Sequence, residues 1–199
     1  MPNWCNNDLH LTHDDPEMIK KARDAWESGN FLATLVPEPD YTTTPVAQTF
    51  PEITAQYAKT EEEKAKALAN EPTIREDSWW DWRVQNWGTK WDIGLDSDLD
   101  NHAQGGDNDM FVYFNSAWSP PTSAYARLAE LGYSIRAYYH EGGCAFCGSW
   151  IDGVDDCFDI ETDDDCRITV ESLSHIPNDI LNEMDILHSY ELVEEDEDE

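Results

Sequence analysis

Five residues in two short segments carry side chains suited to acid–base chemistry. They are Lys90, Asp92, Tyr139, His140 and Glu141. An amine, an imidazole and carboxylates that meet in one cleft can exchange protons with a bound molecule. Their spacing selects no reaction, and the sequence lacks the signatures of serine hydrolases, zinc proteases, P-loop enzymes and dinucleotide-binding enzymes. We therefore assign no catalytic residue and keep a small enzyme as the alternative function.

The first of these segments is also rich in tryptophan, with five of the nine tryptophans between Trp79 and Asp92. Indole rings bury a large apolar surface, and each N–H needs an acceptor. One interpretation is a turn at Asn86-Trp87-Gly88 and a following strand that hold a long insertion against the core. The other is a ligand cleft that the rings line. Its residues would be Asn86, Trp87, Lys90, Trp91 and Glu141. The sequence leaves both interpretations open.

The cysteines suggest a zinc site only weakly. Cys144 and Cys147 have CxxC spacing, and Cys157 and Cys166 follow. Structural zinc sites normally add a second closely spaced pair, which is missing here. On a strand, Cys144 and Cys147 would also point to opposite sides unless a turn brought them together. We predict reduced, mostly packed cysteines.

A calcium loop is equally incomplete. The segment 96–107 begins with alternating aspartates, but Asn101 stands where the loop needs glycine and Asp107 where it needs glutamate. No amphipathic helix flanks the segment. Weak cation binding by the clustered carboxylates is the more plausible outcome, and we predict neither a bound metal nor a cofactor.

Acidity is the dominant global property. Forty-three acidic residues against twelve basic ones give a formal net charge of −31. Such a chain repels nucleic acid and anionic membranes and attracts basic protein surfaces. Adaptation to high salt would produce the same composition. We predict that two base-free blocks bind a partner: Asp96, Asp98, Asp100, Asp107 and Asp109, and Asp152, Asp155, Asp156, Asp163, Asp164 and Asp165.

No apolar run reaches the roughly 20 residues that cross a bilayer. The opening Met1–Cys5 has neither a basic nor an apolar export region. The sequence therefore predicts a cytoplasmic protein with no membrane contact.

The elements that must position these residues alternate between strand and helix. The hydrophobic pattern predicts strands at Asp8–His13, Thr89–Leu95, Met110–Trp118 and Ser134–His140, and helices at Pro16–Ser28 and Pro121–Leu131. Strand, helix, strand, strand, helix, strand is the order of a ferredoxin-like split βαβ sandwich. We predict an α+β domain over residues 1–190 with a helical and loop insertion at 30–78, followed by a disordered acidic tail at 191–199.

Local signals sharpen this outline. Asp14 or Asp15 should cap the first helix and Ser119 the second. Thr60 and Glu63 should form a capping box that opens a short helix in the insertion. Met110–Phe114 is apolar on both faces, which is typical of a central strand. Asp152-Gly153 predicts a hairpin within residues 144–160 that extends or covers the sheet. Further predictions are a strand at Arg167–Val170 and a short C-terminal helix with Ile180, Leu181, Met184 and Leu187 on its apolar side.

Four separated motifs resemble those of a known family. They are Met1-Pro2-Asn3-Trp4-Cys5-Asn6-Asn7, Asn86-Trp87-Gly88-Thr89-Lys90-Trp91-Asp92, Ala117-Trp118-Ser119-Pro120-Pro121 and the segment from Tyr139 to Gly148. Together and in this order they are similar to the YubB-type ferredoxin-like-domain family of phage, prophage and plasmid proteins. The resemblance frames roughly residues 1–160 and implies the fold and a mobile-element origin. It supplies no established catalytic residues.

The expected function follows from charge and origin together. We expect a phage or mobile-element protein whose acidic surface imitates nucleic acid. It would occupy the basic, nucleic-acid-binding site of a host protein, for example a defence nuclease of an anti-restriction or anti-CRISPR kind. It would not bind nucleic acid directly. If the surface imitates a duplex, both acidic blocks should lie on one continuous face.

Overall fold

The computed structural model describes residues 3–40, 55, 58–69, 79–162, 167–188 and 190. Its strands are β1 (Trp4–Thr12), β2 (Asp109–Ala117), β3 (Ser134–Glu141), β4 (Phe146–Ile151) and β5 (Val154–Asp159). Its helices are α1 (Pro16–Glu27), α2 (Phe31–Leu35), α3 (Glu61–Leu68), α4 (Trp79–Asn86), α5 (Thr122–Glu130) and α6 (Asn178–Glu183). No helix in these ranges is long and apolar enough to cross a membrane.

The five strands form one antiparallel sheet in the order β2-β1-β3-β4-β5. β1 pairs with β2 from Trp4 opposite Ala117 to Thr12 opposite Asp109, and with β3 on its other side. The connection from β2 through α5 to β3 therefore spans β1, which is a split βαβ unit. This arrangement confirms the predicted α+β class, and the β4–β5 hairpin extends the sheet as expected.

Helices cover one face of the sheet. Asp15 caps α1 by accepting the N–H of Glu17 at 3.0 Å, Pro16 takes the first helical position, and Gly29 follows the helix with a φ of 73°. Buried α1 and α5 residues pack on the odd-numbered β1 residues Leu9 and Leu11 in one apolar core. Odd-numbered and even-numbered residues of a strand point to opposite faces, so the even-numbered residues of β1 lie on the other face.

The C-terminal segment covers part of that second face. A separate apolar cluster joins Tyr138 of β3 and Cys147 of β4 to Leu173, Ile176, Ile180, Leu181 and Ile186. The predicted C-terminal helix is thus confirmed, with Ile180 and Leu181 buried. Arg167–Val170 forms no strand, so that prediction is wrong. The acidic tail at 191–199 lies outside the described residues.

The predicted strand at Thr89–Leu95 is also wrong. From Asp92 to Leu95 its groups bond to the corner between α1 and α2 instead of to a strand. The Asp92 carboxylate accepts the N–H groups of Leu32 and Ala33 at 2.7 and 3.0 Å, and the Ile93 carbonyl accepts the N–H of Phe31. Leu95 donates its own N–H to the carbonyl of Trp26 at 2.8 Å.

Because no strand forms at Thr89–Leu95, β2 has a different position in the sheet from the one predicted. The sequence predicted a central strand at Met110–Phe114, but β2 lies at an edge of the sheet, and 62% of Tyr113 is exposed. Only an isolated bridge between Gln104 and Phe111 continues the sheet beyond it in the described part of the chain. Phe111 and Tyr113 are apolar residues on an open face, not members of a second core.

Two further local predictions need correction. Asn86 ends helix α4 instead of beginning a turn, although Gly88 does adopt a positive φ of 81°. Ser119 caps no helix, because its hydroxyl donates to the carbonyl of Gly88 at 2.6 Å and Pro121 takes the N-cap position. The tight pair of prolines, with their fixed φ, suffices to turn the chain into α5.

The remaining local predictions are confirmed where the structure describes them. Asp152 and Gly153, with φ of 44° and 97°, form the turn between β4 and β5. Thr60 and Glu63 form the capping box of α3 within the insertion. Residues 41–54, 56–57 and 70–78 of the insertion lie outside the described residues.

A substitution at Gly94 tests the packing of the segment 92–95 against the corner between α1 and α2. A Cβ at Gly94 would lie 2.6 Å from the Cα of Gly29, against backbone that has no room to move. We expect Gly94→Ala to lower the free energy of unfolding by about 1–3 kcal/mol, because overpacking forces backbone shifts. Urea denaturation followed by circular dichroism measures the change.

Gly106→Ala is the matched control. Neither Gly94 nor Gly106 has a positive φ, and a Cβ at Gly106 would meet only the side chain of Asp109. We expect a change within about 0.5 kcal/mol. Equal effects of the two substitutions would contradict the close approach of Gly94 and Gly29.

Candidate functional site

A groove follows the free edge of β2. Its outer lobe, of about 560 Å³, lies between β2 and the segment 91–101. The walls include Trp4 and Trp91, whose rings are in contact with centroids 5.8 Å apart, and the acids Asp96 and Asp98. The edge is open here because the segment 92–95 bonds to the α1–α2 corner, as described above.

An inner lobe of about 420 Å³ continues onto the open face of the sheet. Asp8 and Tyr113 lie on its floor, and Glu183 and Asp185 come from the end of α6. The two lobes share Leu99, Asn101, Phe114 and Asn115 as lining residues. We call the two lobes together the edge groove.

The edge groove is strongly acidic. Within the described residues its lining includes six acids and no lysine, arginine or histidine: Asp8, Asp92, Asp96, Asp98, Glu183 and Asp185. The Asp92 carboxylate is already hydrogen-bonded to the first turn of α2. Asp96 accepts the N–H of Asp98 at 2.9 Å. Carboxylates beside exposed indole and phenol rings form an environment that favours a cation, since the ring faces attract positive charge as well.

Backbone groups add a second kind of binding element. Phe111 bonds through both its N–H and its C=O to Gln104, so the odd-numbered residues of β2 direct their backbone groups away from β1. By the same alternation the N–H and C=O of Asn115 point into the edge groove, and neither has a backbone partner in the described part of the chain. The carbonyls of Tyr113 and Ala117 accept from the side chains of Asn101 and Thr89.

Asp8 has the most perturbed carboxyl group of the edge groove. Burial and, to a smaller extent, the nearby charge of Glu183 raise the pKa of Asp8 from 3.8 to about 6. The charge of Asp8 in turn raises the pKa of Tyr113. An incoming cation would remove this repulsion, because an opposite charge favours the ionised carboxylate.

One end of the groove collects residues from the four sequence motifs. Trp118 donates its N–H to the carbonyl of Asn3 at 3.0 Å, and Thr89 donates its hydroxyl to the carbonyl of Ala117. The Asn3 side chain lies 3.5 Å from the sulfur of Cys144. Trp118 is half exposed and has a φ of 72°, a conformation rare for so bulky a residue. Trp4, Trp91 and Trp118 thus expose tryptophan at this end.

The ligand cleft predicted around Asn86 is not formed as expected. Trp87 is fully buried and donates its indole N–H to the carbonyl of Val36 at 2.9 Å. Asn86 donates to the carbonyl of Trp82 and faces Arg127. Among the predicted cleft residues, Trp91 alone lines the edge groove. The interpretation of this segment as an anchor for the insertion accounts for the contacts of Trp87.

The candidate acid–base residues make different contacts. Lys90 lies over the ring of Trp91 at 5.1 Å. Glu141 is 1% exposed and accepts the N–H groups of Gly143 and Cys144 in the turn after β3. Neither Lys90 nor Glu141 lines the edge groove. Their pairing in a cleft stays a prediction.

Tyr139 and His140 are buried residues of β3 with structural contacts. Tyr139 donates its hydroxyl to the Asp155 carboxylate at 2.7 Å, and its pKa is raised, first by burial and then by that bond. Burial lowers the pKa of His140, which contacts the hydroxyl of Tyr190. Packing against β4 and β5 explains the contacts of Tyr139, and packing under the covering segment explains those of His140.

The two acidic blocks lie at opposite edges of the sheet. Asp96 and Asp98 line the edge groove, with Asp100, Asp107 and Asp109 nearby in the chain beside β2. Asp155 and Asp156 belong to β5, and Asp152 forms the turn before it by accepting from Ser134 and Ile135. Four strand spacings, about 19 Å, separate β2 from β5. Asp163, Asp164 and Asp165 of the second block lie outside the described residues, so the expected single continuous face stays a prediction.

The cysteines divide between core and surface. Cys5 and Cys147 are buried, and Cys144 and Cys157 are exposed. Burial raises the pKa of Cys147 to about 11, so this thiol stays protonated at neutral pH. No group of three or more histidine, cysteine or acidic side chains in the described residues is placed to hold a metal ion.

The sequence analysis missed the residues that complete the edge groove. They are Trp4, Asp8, Tyr113, Asn115, Glu183 and Asp185. Asp8 had a usable signal, since it is a polar position of the alternating strand predicted at Asp8–His13. Tyr113 had none, because Met110–Phe114 is apolar on both faces. Glu183 also had none, because nothing in its local sequence shows that the end of α6 lies near Asp8.

The raised pKa of Asp8 predicts a pH-dependent effect of its replacement. A carboxyl group whose pKa is higher in the folded than in the unfolded state destabilises the fold progressively as the pH rises from the unfolded to the folded value, and fully above it. We expect Asp8→Asn to raise the free energy of unfolding by about 1–2 kcal/mol at pH 7.5 and to lose most of that gain at pH 4. Urea denaturation at both pH values measures it.

Asp156→Asn removes the same charge from the exposed edge strand β5 and is the control. Its effect should stay within about 0.5 kcal/mol at both pH values. If Asp8→Asn had the same effect at pH 4 as at pH 7.5, the pKa of Asp8 would not be raised.

Comparison with known proteins adds little to this description. A scan against protein-family models finds no match, and a search of curated proteins finds none either. The chain is similar to the crystal structure of a protein api92 from Yersinia pseudotuberculosis, described with the family designation DUF1281. The two are 13% identical with a TM-score of 0.44, over 81% of this chain and 99% of the other. A likeness of this degree carries no conclusion about function.

Proposed function

We propose that this protein acts by binding and that its partner is a host protein with a basic, nucleic-acid-binding surface. By occupying that surface it keeps nucleic acid from the partner, and so acts as an inhibitor of a host defence protein. The observation that carries the proposal is the acidic edge groove, whose described lining contains carboxylates and aromatic rings but no base. A basic segment of a partner is the complement of such a groove.

The charge of the whole chain supports the same class of partner. A formal net charge of −31 steers a basic protein towards any face of this molecule and repels nucleic acid and anionic lipid. The separation of the two acidic blocks favours entry of a partner segment into the groove over imitation of one flat duplex face. The block on β5 then contributes mainly to the rate of encounter.

The proposed setting is the cytoplasm of a bacterial host that carries a phage or plasmid. The support for it is the resemblance of the four motifs to the YubB-type family. The convergence of Asn3, Thr89, Ala117 and Cys144 at one end of the sheet gives those motifs a shared location. No catalytic step forms part of the proposal, since neither Lys90 nor Glu141 lines the edge groove.

Competition with nucleic acid tests the proposal. Proteins retained from host lysate by this protein at low salt, and released at high salt, are loaded with fluorescent duplex DNA or RNA. We expect this protein to displace the nucleic acid in a fluorescence polarisation assay and to lose that ability as salt shortens the range of charge interactions. A partner that holds nucleic acid and this protein together would contradict the proposed inhibition.

Matched charge variants locate the binding edge. The triple variant Asp96→Asn, Asp98→Asn, Asp100→Asn should raise the concentration needed for half displacement by about three- to tenfold, since each charge pair near the surface contributes up to about 1 kcal/mol. Asp156→Asn, Asp159→Asn, Glu161→Gln removes the same charge from and just after β5 and should act mainly on the association rate. A larger loss of affinity from the β5 variant would place the contact at the other edge.

A further inference from the structure

The geometry points to one mode of binding, which rests on the proposed function: the edge groove takes an extended segment of the partner, bearing lysine or arginine, as an antiparallel strand added to β2. The inference identifies what enters the groove and how it is held. Three features of the groove carry it: the unpaired backbone of Asn115, the acidic lining, and the alternation of side chains along a strand.

The backbone of β2 selects an extended chain. Asn115 presents both its N–H and its C=O to the groove, while the neighbouring outward carbonyls of Tyr113 and Ala117 already accept from Asn101 and Thr89. In an antiparallel pair, both groups of one residue bond to a single opposite residue. An antiparallel strand therefore satisfies both groups of Asn115 through a single residue. An α-helix cannot do so, because its own backbone groups are paired within the helix.

Charge determines which kind of extended segment the edge groove attracts. A second copy of this protein carries the same formal charge of −31 and is repelled, and so is the protein's own acidic segment Glu194–Glu199. Nucleic acid is repelled for the same reason. A basic segment of another protein is attracted by Asp96 and Asp98 in the outer lobe and by Asp8 and Glu183 in the inner lobe.

The alternation of side chains places the basic residues. Asn115 lies on the open face of the sheet together with Asp8 and Tyr113, which pair across β1 and β2. The residue of an added antiparallel strand that bonds to Asn115 points its side chain to this same face. Lysine or arginine at this position and at every second position from it would lie over the inner lobe, next to Asp8 and Glu183.

A synthetic peptide tests this mode without the natural partner. The probe is a fluorescein-labelled heptapeptide that alternates lysine and valine, measured by fluorescence polarisation at low salt. Two N-methylated versions separate strand addition from simple charge attraction. Methylation at every lysine removes the N–H groups that face β2 and should weaken binding at least tenfold. Methylation at every valine alters only the outward edge and should leave the affinity within about twofold.

Asn115 provides the matching change on the protein. Asn115→Pro removes the N–H that would donate a hydrogen bond to the added strand, and proline is tolerated at an edge where that N–H is unpaired. We expect at least tenfold weaker peptide binding. Asn115→Ala keeps the N–H and should bind within about twofold of the original protein. The N-methylated peptides give the same information on unaltered protein if Asn115→Pro does not fold.

Charge variants test the second part of the inference. Asp98→Asn with Glu183→Gln removes one carboxylate from each lobe and should weaken the peptide by about three- to tenfold. Asp156→Asn with Glu161→Gln removes the same charge from and just after the opposite edge strand and should change affinity by less than about twofold. The polyamine spermine, which has charge but no strand backbone, should displace the peptide only at concentrations well above those of unlabelled peptide.

The outcomes separate this inference from the proposed function. Equal binding of both N-methylated peptides, full displacement by spermine at matched concentration, or no binding of the probe up to about 1 mM would overturn strand addition. If the probe binds as expected but no captured host protein loses its nucleic acid, strand addition stands and the proposed inhibition fails. If a host protein is inhibited equally by Asn115→Pro and Asn115→Ala, the proposed function stands and strand addition fails.

Discussion

The contact between the segment 92–95 and the corner of α1 and α2 determines the character of the molecule. Asp92 caps α2 through two backbone N–H groups, and Gly94 approaches Gly29 so closely that a single methyl group would collide. The backbone of this segment bonds to the helix corner and does not pair with β2. The sheet consequently ends at β2, and the space that another strand would fill is a groove with unpaired backbone on one side.

Covering of the second sheet face completes this groove. The segment that follows β5 buries Tyr138 and Cys147 under Leu173, Ile180 and Ile186. The even-numbered residues of β1 and the exposed residues of β2 are not part of this apolar cluster. The end of α6 thereby brings Glu183 next to Asp8, and their like charges help to raise the pKa of Asp8. The most perturbed acid of the groove thus results from packing between two distant parts of the chain.

The tryptophan-rich segment 79–92 makes most of its contacts in the interior of the protein. The Arg83 guanidinium lies over the rings of Trp79 and Trp87 and forms two 2.7 Å bonds to Glu38, which ties α4 to the start of the insertion. Trp87 adds its own bond to Val36. Trp91, only a few residues later, leaves this cluster and lines the groove. One short run of sequence therefore supplies both an anchor and a binding wall.

The sequence alone determined several features that depend on neighbouring residues. Asp15-Pro16 predicts the start of α1, Thr60 and Glu63 predict the capping box, Asp152-Gly153 predicts the hairpin turn, and alternation predicts the strands that form the split βαβ unit. These features follow from bonds within a few residues, so local patterns suffice to identify them. The tertiary structure decided which strands lie at the edges, that Thr89–Leu95 bonds to a helix corner, and that Asp8 meets Glu183. These outcomes depend on backbone groups and charges far apart in the chain, which compete for partners only after the chain has folded.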